Sequence, residues 1–377
     1  MNNRRAFLYH IHCWNGVYEY SFYHDNQALE SLRASMLSLQ NLTSFRLSMK
    51  RILFGSLSGG IGILGLLLAG ALFVVETLTR PKKPNHFDNY TFSPYELGLP
   101  AEAVTFPSLH GDHFVSGYYI PCPGATSTLL VCPGFRSRMA EFLGIGGHLW
   151  RAGYNVLVFE YYGHGIAVSA PVTLGYREIN DFLGAVAYAK ERAPQNRIGA
   201  LSYSMGAAVA IMSSARNTDV EALVLDSSFA THRGVVEYNF HRTFHLPSAP
   251  FAWIADYILW WRAGYRFHQV EPIREISLIS PRPILIIQGG KDSIVDPKDA
   301  TLLYAAAKEP KELWFLPGAD HCGAYFEDRK AYVTRVLDFF DLHVKNKGYL
   351  QLIDTAFNEQ MRSGDPNDAS QGLSEAS

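Results

Sequence analysis

Along the middle of the chain, apolar residues gather into short, nearly continuous runs set between longer stretches with a helical period. STLLVC (127–132), NVLVFE (155–160), RIGALS (197–202), EALVLD (221–226) and ILIIQG (284–289) leave no regular polar face, so they read as strands covered on both sides. FVSGYYI (114–120) and LWFLP (313–317) extend the series at its two ends. Between the runs, Ile179, Phe182, Leu183 and Val186 recur at i, i+3, i+4 and i+7, and Val333, Val336, Leu337 and Phe340 repeat that spacing. Strand alternating with helix predicts a doubly wound, mostly parallel α/β sheet with right-handed crossovers over residues 101–347.

Two segments break this rhythm. Residues 231–271 are rich in aromatics, among them Phe240, Phe251, Trp253, Tyr257, Trp260 and Trp261, and they follow a strand end. Ligands bind at the carboxyl ends of strands in open α/β sheets, so this insertion is expected to form a small helical cap there. The second segment, Ile52 to Val75, carries no charge. As a helix of about 24 residues it would reach roughly 36 Å, enough to span a bilayer core of about 30 Å, and it is expected to be one transmembrane helix. Arg46, Lys50 and Arg51 precede it and Arg80, Lys82 and Lys83 follow, so the positive-inside rule does not orient it.

Met49-Lys50-Arg51 before the apolar run has the form of a fresh N-terminus, with translation from Met49 leaving out an extension, 1–48. Ala69-Gly70-Ala71 offers a small-x-small cleavage site, but the run continues past it, which favours an uncleaved single-pass anchor over a cleaved signal peptide. Residues 80–100 read as a linker, extended around its Pro/Lys-rich start, and 363–377 as a disordered polar tail.

Composition removes several classes of function. The chain has 377 residues with 33 Lys and Arg against 35 Asp and Glu, and no dense basic stripe, so nucleic acid is not an expected partner. Its four cysteines, Cys13, Cys122, Cys132 and Cys322, are scattered and form no C-x-x-C pair, which argues against a disulfide scaffold and a cysteine zinc site. His241 and His245, at i and i+4, lack a visible third ligand, so no metal is expected.

The chemistry centres on ALSYSMGAA (200–208). A nucleophile elbow needs small residues two positions either side of its serine, because strand, turn and helix crowd there. Both Ser202 and Ser204 satisfy the spacing. The frame Ser202-Tyr203-Ser204-Met205-Gly206 keeps Ser202 at the strand end and puts Gly206 at the tight start of the helix, which selects Ser204. A serine nucleophile needs a base and the base an orienting acid. Asp292 follows an apolar strand and a Gly-Gly turn; Asp296 precedes Pro297 and a helical run, the pattern of a cap, and Asp226 is a lesser alternative acid. His321, in LWFLPGADHCG, lies 29 residues beyond Asp292 on a Gly-containing loop after the last strand, whereas a second active-side histidine, His164 in YYGHG, precedes the serine. Oxyanion donors are expected from the Met205 amide and from Phe135 in LLVCPGFRS. Cys132 and Cys322, near these residues, read as small buried hydrophobes.

The ordered set PGF (133–135), EYYGHG (160–165), SYSMG (202–206), GGKDSIVDP (289–297) and ADHCG (320–323) resembles the α/β-hydrolase superfamily. It looks most like its serine-aminopeptidase-like and dienelactone-hydrolase-like esterase branch with an N-terminal membrane segment. Glu160 stands where the family has Asp, Ser202 where the elbow has Gly, and Pro133 where the oxyanion loop has His. The resemblance implies Ser204, Asp292 and His321 as a catalytic triad, without a cofactor. The expected activity is hydrolysis of a small apolar ester or acyl substrate. Thioesters and amides are alternatives, as is a non-catalytic binding module of the same fold.

Overall fold

The computed structural model describes residues 59–80, 93–165 and 170–345, with only the backbone for 59–64, and a two-residue strand pair, Cys13–Trp14 with Val17–Tyr18. The chain divides into two units, Met1–Leu66 and Leu67–Ser377. The tail 363–377, most of the 80–100 linker and nearly all of 1–48 lie outside the described residues.

The second unit is built on eight strands: β1 (Glu102–Pro107), β2 (Phe114–Ile120), β3 (Ser127–Cys132), β4 (Asn155–Glu160), β5 (Arg197–Tyr203), β6 (Val220–Asp226), β7 (Ile284–Gly289) and β8 (Lys311–Leu316). They lie in the order β8-β7-β6-β5-β3-β4-β2-β1. The six from β3 onward run parallel, while β2 pairs antiparallel with both β4 and β1. β1 was not apparent as a strand in the sequence. It is an edge strand whose residues are mostly exposed or half-buried, so its apolar signal is diluted.

Of the five strands read as continuous apolar runs, β3, β4 and β7 are buried along their full length, and β5 and β6 are buried at all but one residue each. Their alternate residues supply two separate cores. Leu130, Cys132 and Phe159 face one cluster, and Leu129, Val131 and Val158 the other. The helix expected around Ile179 is Glu178–Arg192, and all four of its periodic residues are buried in the first core. Its counterpart around Val336, Arg329–His343, covers the opposite face.

Helix α1 (Gly59–Thr79) contains the described part of the expected membrane span; 52–58 lie outside the described residues. Among the described residues no helix is long and apolar enough to cross a membrane. The end of the expected span is not free: Ala71 and Val75 are buried in the core of the second unit. The cap consists of α2 (His232–Phe244) and α3 (Ala249–Ala263), joined face to face by Phe240 stacking on Phe251 at 3.9 Å. A Cβ at Gly70 would lie 3.9 Å from the Phe251 ring, and Glu76 pairs with Arg262 of α3 at 3.0 Å. The apolar back of the cap thus takes the last turns of the apolar run as its cover, a contact between distant segments that the sequence pattern does not carry.

Candidate active site

Strand β5 ends at Tyr203, and helix α4 (Met205–Ser214) begins two residues later, so Ser204 alone makes the turn. Its φ of 52° is in the left-handed region, a strained conformation for a serine that the surrounding structure must hold. Two contacts do so. The Ser204 amide donates to the Asp226 carbonyl at 2.7 Å, and Gly206 lets the helix start press against the β3 strand end. A Cβ at Gly206 would collide with the Pro133 and Cys132 carbonyls. Ser202 is fully buried on the strand beside Cys132, its register partner. Burial pushes the Cys132 thiol up to about 12, which leaves it neutral and unreactive.

Ser204 Oγ lies 2.8 Å from His321 Nε2, and His321 Nδ1 lies 2.8 Å from Asp292 Oδ2. Asp292 is 2 % exposed and its carboxylate is saturated with donors. Oδ1 accepts the amides of Ile294 and Val295, and Oδ2 accepts Gln288 Nε2 as well as the imidazole. A carboxylate so placed can only accept, so Nδ1 carries the ring proton and Nε2 of the neutral ring is left to take the hydroxyl proton. Burial opposes a charged His321, but the Cys322 sulfur and the Asp292 carboxylate outweigh it, and the ring is held above its ordinary value. Burial pushes the Cys322 thiol up as well, so at neutral pH it carries no charge and Asp292 is the cause that remains.

The loop carrying His321 is tied down from both sides. Asp320 Oδ1 accepts the amides of His321 and Ser293, which joins the acid and histidine loops. The Cys322 amide donates to Ser227 Oγ, and Ser227 donates to Asp226 Oδ1. Asp226, the lesser candidate acid, therefore sits behind the site. It accepts Tyr332 Oη through its other oxygen, and burial pushes its carboxyl up to about 6. Asp296 accepts the Lys298 amide at the start of the helix Lys298–Ala306, as a capping residue would, with Pro297 one place earlier than expected, at the N-cap itself.

Met205 follows Ser204 directly, and Phe135 follows Gly134, which abuts Ser204. Met205 is the first residue of α4, so its N–H has no acceptor within the helix. Phe135 sits in the loop after β3, where a Cβ at Gly134 would lie 3.3 Å from the Ser204 Cβ. Sequence reasoning missed what holds this loop. The Arg136 amide donates to His164 Nδ1 at 3.0 Å, which puts the His164 proton on Nε2, facing Glu178 Oε1 at 3.0 Å. The Phe135 ring packs edge-on against that imidazole. Burial would raise Glu178, but His164 and the bonds from Thr173 prevail and hold it at about 2, ionised. Glu160 accepts the Met139 amide from the same loop, and a Cβ at Gly165 would run into its carboxylate. EYYGHG is thus the back wall of the loop after β3. The signal was a histidine between glycines, which became interpretable only with its partner 14 residues on.

His241 and His245 lie with ring centroids 6.5 Å apart, and among the described residues no cluster of three potential metal ligands forms.

A family model for alpha/beta hydrolases matches residues 129–335, more than half of the chain and every residue of the Ser204–His321–Asp292 relay. The chain belongs to the alpha/beta hydrolase family. Within this family it is similar to the uncharacterized protein YqkD of Bacillus subtilis, 26% identical over 301 residues that cover 78% of this chain and 98% of that protein. It is also similar to the uncharacterized protein YfhR of Salmonella typhi, 28% identical over 63% of this chain and 80% of its relative. Among solved structures, the Pyrococcus furiosus esterase Pf2001 superposes with a TM-score of 0.59 at 23% identity, covering 71% of this chain and 98% of the esterase. The alpha/beta hydrolase GrgF from Penicillium superposes at 0.53 with 20% identity, covering 66% and 100% of the respective chains. At these identities the likeness is one of fold, and that fold agrees with the mostly parallel eight-stranded sheet.

Proposed function

We propose that this alpha/beta hydrolase is a serine hydrolase that cleaves carboxylic esters through an acyl-enzyme. The observation that carries the reading is the unbroken relay from Ser204 Oγ to His321 to Asp292, 2.8 Å at each step. As Ser204 Oγ attacks the ester carbonyl, its proton passes to His321 Nε2, and Asp292 stabilises the imidazolium. The carbonyl oxygen becomes an oxyanion facing the Phe135 and Met205 amides. Collapse expels the alcohol, which leaves with the proton from Nε2. Water then attacks the acyl-serine, with His321 taking its proton and returning it to Ser204 Oγ as the acid departs. The aromatic cap over the site favours an apolar acyl or alcohol group, and membrane attachment through residues 52–75 is part of the same proposal, resting on their lack of charge.

A fluorophosphonate probe tests the nucleophile. Labelling of the wild-type chain, kept in Ser202→Ala and lost in Ser204→Ala, is expected. Loss in Ser202→Ala alone would reverse the choice of serine, and no labelling of the wild type would favour a binding module. A panel of p-nitrophenyl esters of increasing chain length then defines the acyl preference.

A further inference from the structure

Helix α3 of the cap is apolar on all sides. Its inner face buries Phe251, Ala252, Ala255, Ile258 and Leu259. Its outer face carries Trp253 (69 % exposed), Tyr257, Trp260 and Trp261 (72 % exposed), a stripe at i, i+4, i+7 and i+8. The two charges of the helix are both engaged, Asp256 with Arg266 and Arg262 with Glu76. The neighbouring helix α1 has the same double character: Ala71 and Val75 face inward, while Leu68, Leu72 and Phe73 are exposed. Two adjacent helices whose outer faces are both apolar are not built for water.

The residue types on the outer faces point to one occupant. Trp and Tyr are the side chains that settle at the headgroup level of a bilayer, with an apolar ring and a polar edge. Guanidinium groups, each also paired with a carboxylate, stack on the outer indoles, Arg233 (with Glu237) over Trp253 and Arg266 (with Asp256) over Trp260, so the rings carry a polar rim beside their apolar faces. Helix α1 also continues the charge-free run that starts at Ile52, so the exposed surface is contiguous along the chain with its most lipid-like segment.

We infer that the outer face of α3, with the exposed side of α1, rests on a phospholipid bilayer, so that the cap takes its ester substrate from the lipid phase. The cap's inner elements reach the site directly: Tyr238 of α2 donates to the Asp292 carbonyl, and Arg136 of the oxyanion loop donates to the carbonyls of Thr77 and Arg80 at the end of α1. A surface carried by α1 and the cap therefore lies next to the loops that hold Asp292 and Phe135. This inference rests on the serine hydrolase reading for its activity readout, and its binding readout is independent of that reading.

The test uses full-length protein reconstituted in phosphatidylcholine–phosphatidylglycerol vesicles. Brominated phosphatidylcholine should quench the wild-type tryptophan emission, and the residual emission of W253F/W260F/W261F should be quenched much less. A second arm compares a long-chain p-nitrophenyl ester held in the vesicles with soluble p-nitrophenyl butyrate. W253Q/W261Q should lose at least about tenfold on the vesicle ester, the equivalent of two indole faces no longer withdrawn from water, and stay within about twofold on the soluble one. Absent quenching in the wild type, or equal quenching in the variant, would overturn the inference, as would equal activity of W253Q/W261Q on both esters. A crosslinked dimer lost in W253Q/W261Q, with no bromolipid quenching, would overturn it in favour of a second copy of the chain. Wild-type inactivity on both esters would sink the hydrolase reading and leave the quenching result to decide the surface.

Discussion

Replacing Asp292 by Asn changes almost nothing in shape, which makes it the sharpest test of the relay. The Asn oxygen can still accept the Ile294 and Val295 amides where Oδ1 does now. The new NH2 takes the place of Oδ2, which currently receives both His321 Nδ1 and Gln288 Nε2. Gln288 can adapt by turning its amide, because its Oε1 is buried with no hydrogen-bond partner among the described residues and would then accept from the Asn. His321 has no such escape. Nδ1 must become the acceptor, so the proton moves to Nε2, which faces Ser204 Oγ as a donor and cannot take the hydroxyl proton. The wrong tautomer costs about 10⁴ in kcat in serine triads, roughly 5 kcal/mol of transition-state stabilisation. Loss of the carboxylate also removes what holds the imidazole above its ordinary value. The wild-type kcat/KM should therefore climb with pH along a limb lying above 6.5, and the residual activity of Asp292→Asn should have that limb moved to lower pH. The assay is p-nitrophenyl ester hydrolysis over a pH range, with thermal unfolding to show that the fold persists. If Asp292→Asn stays within about tenfold of wild type while Asp226→Asn is inactive and folded, the acid has been misassigned and the tautomer argument fails.

Two further outcomes follow from the buried polar groups. His164→Ala removes the acceptor of the Arg136 amide and one of the donors to the ionised Glu178, and is expected to lower kcat about 10- to 100-fold with a smaller change in KM, while His164→Asn, whose oxygen can replace Nδ1 as acceptor, recovers part of it; kcat within twofold of wild type in a folded His164→Ala would dismiss the loop-positioning role. His232 is fully buried between Tyr265 and Phe267, neither ring nitrogen has a hydrogen-bond partner among the described residues, and burial lowers it to about 3. The unfolded chain takes up that proton near 6.5 and the folded chain only near 3, so this residue's share of stability falls as pH drops between those values, by roughly a few kcal/mol in all. His232→Phe should flatten the fall in Tm between pH 7.5 and 5, and an unchanged slope would show that other groups carry it.

The sequence by itself determined all of the sheet but its edge strand, and the chain order of Ser204, Asp292 and His321. Strands buried on both faces must be apolar throughout, so β3, β4 and β7 announced themselves, and helices covering a sheet must keep a 3.6-residue period. The elbow was legible because crowding around Ser204 demands a small residue at position 206, and Asp292 and His321 were legible because each follows a strand end in the order the fold requires. The edge strand β1 was not, since half its surface meets water. Only the tertiary structure decided the rest. It set His164 and Glu178 behind the loop after β3 and tied Asp226, through Ser227, to the loop that carries His321. It also brought the end of the apolar run against the cap. Each of these depends on which side chain meets which across a distance along the chain, and hydrogen-bond partners, unlike periodic burial, leave no local repeat in the sequence.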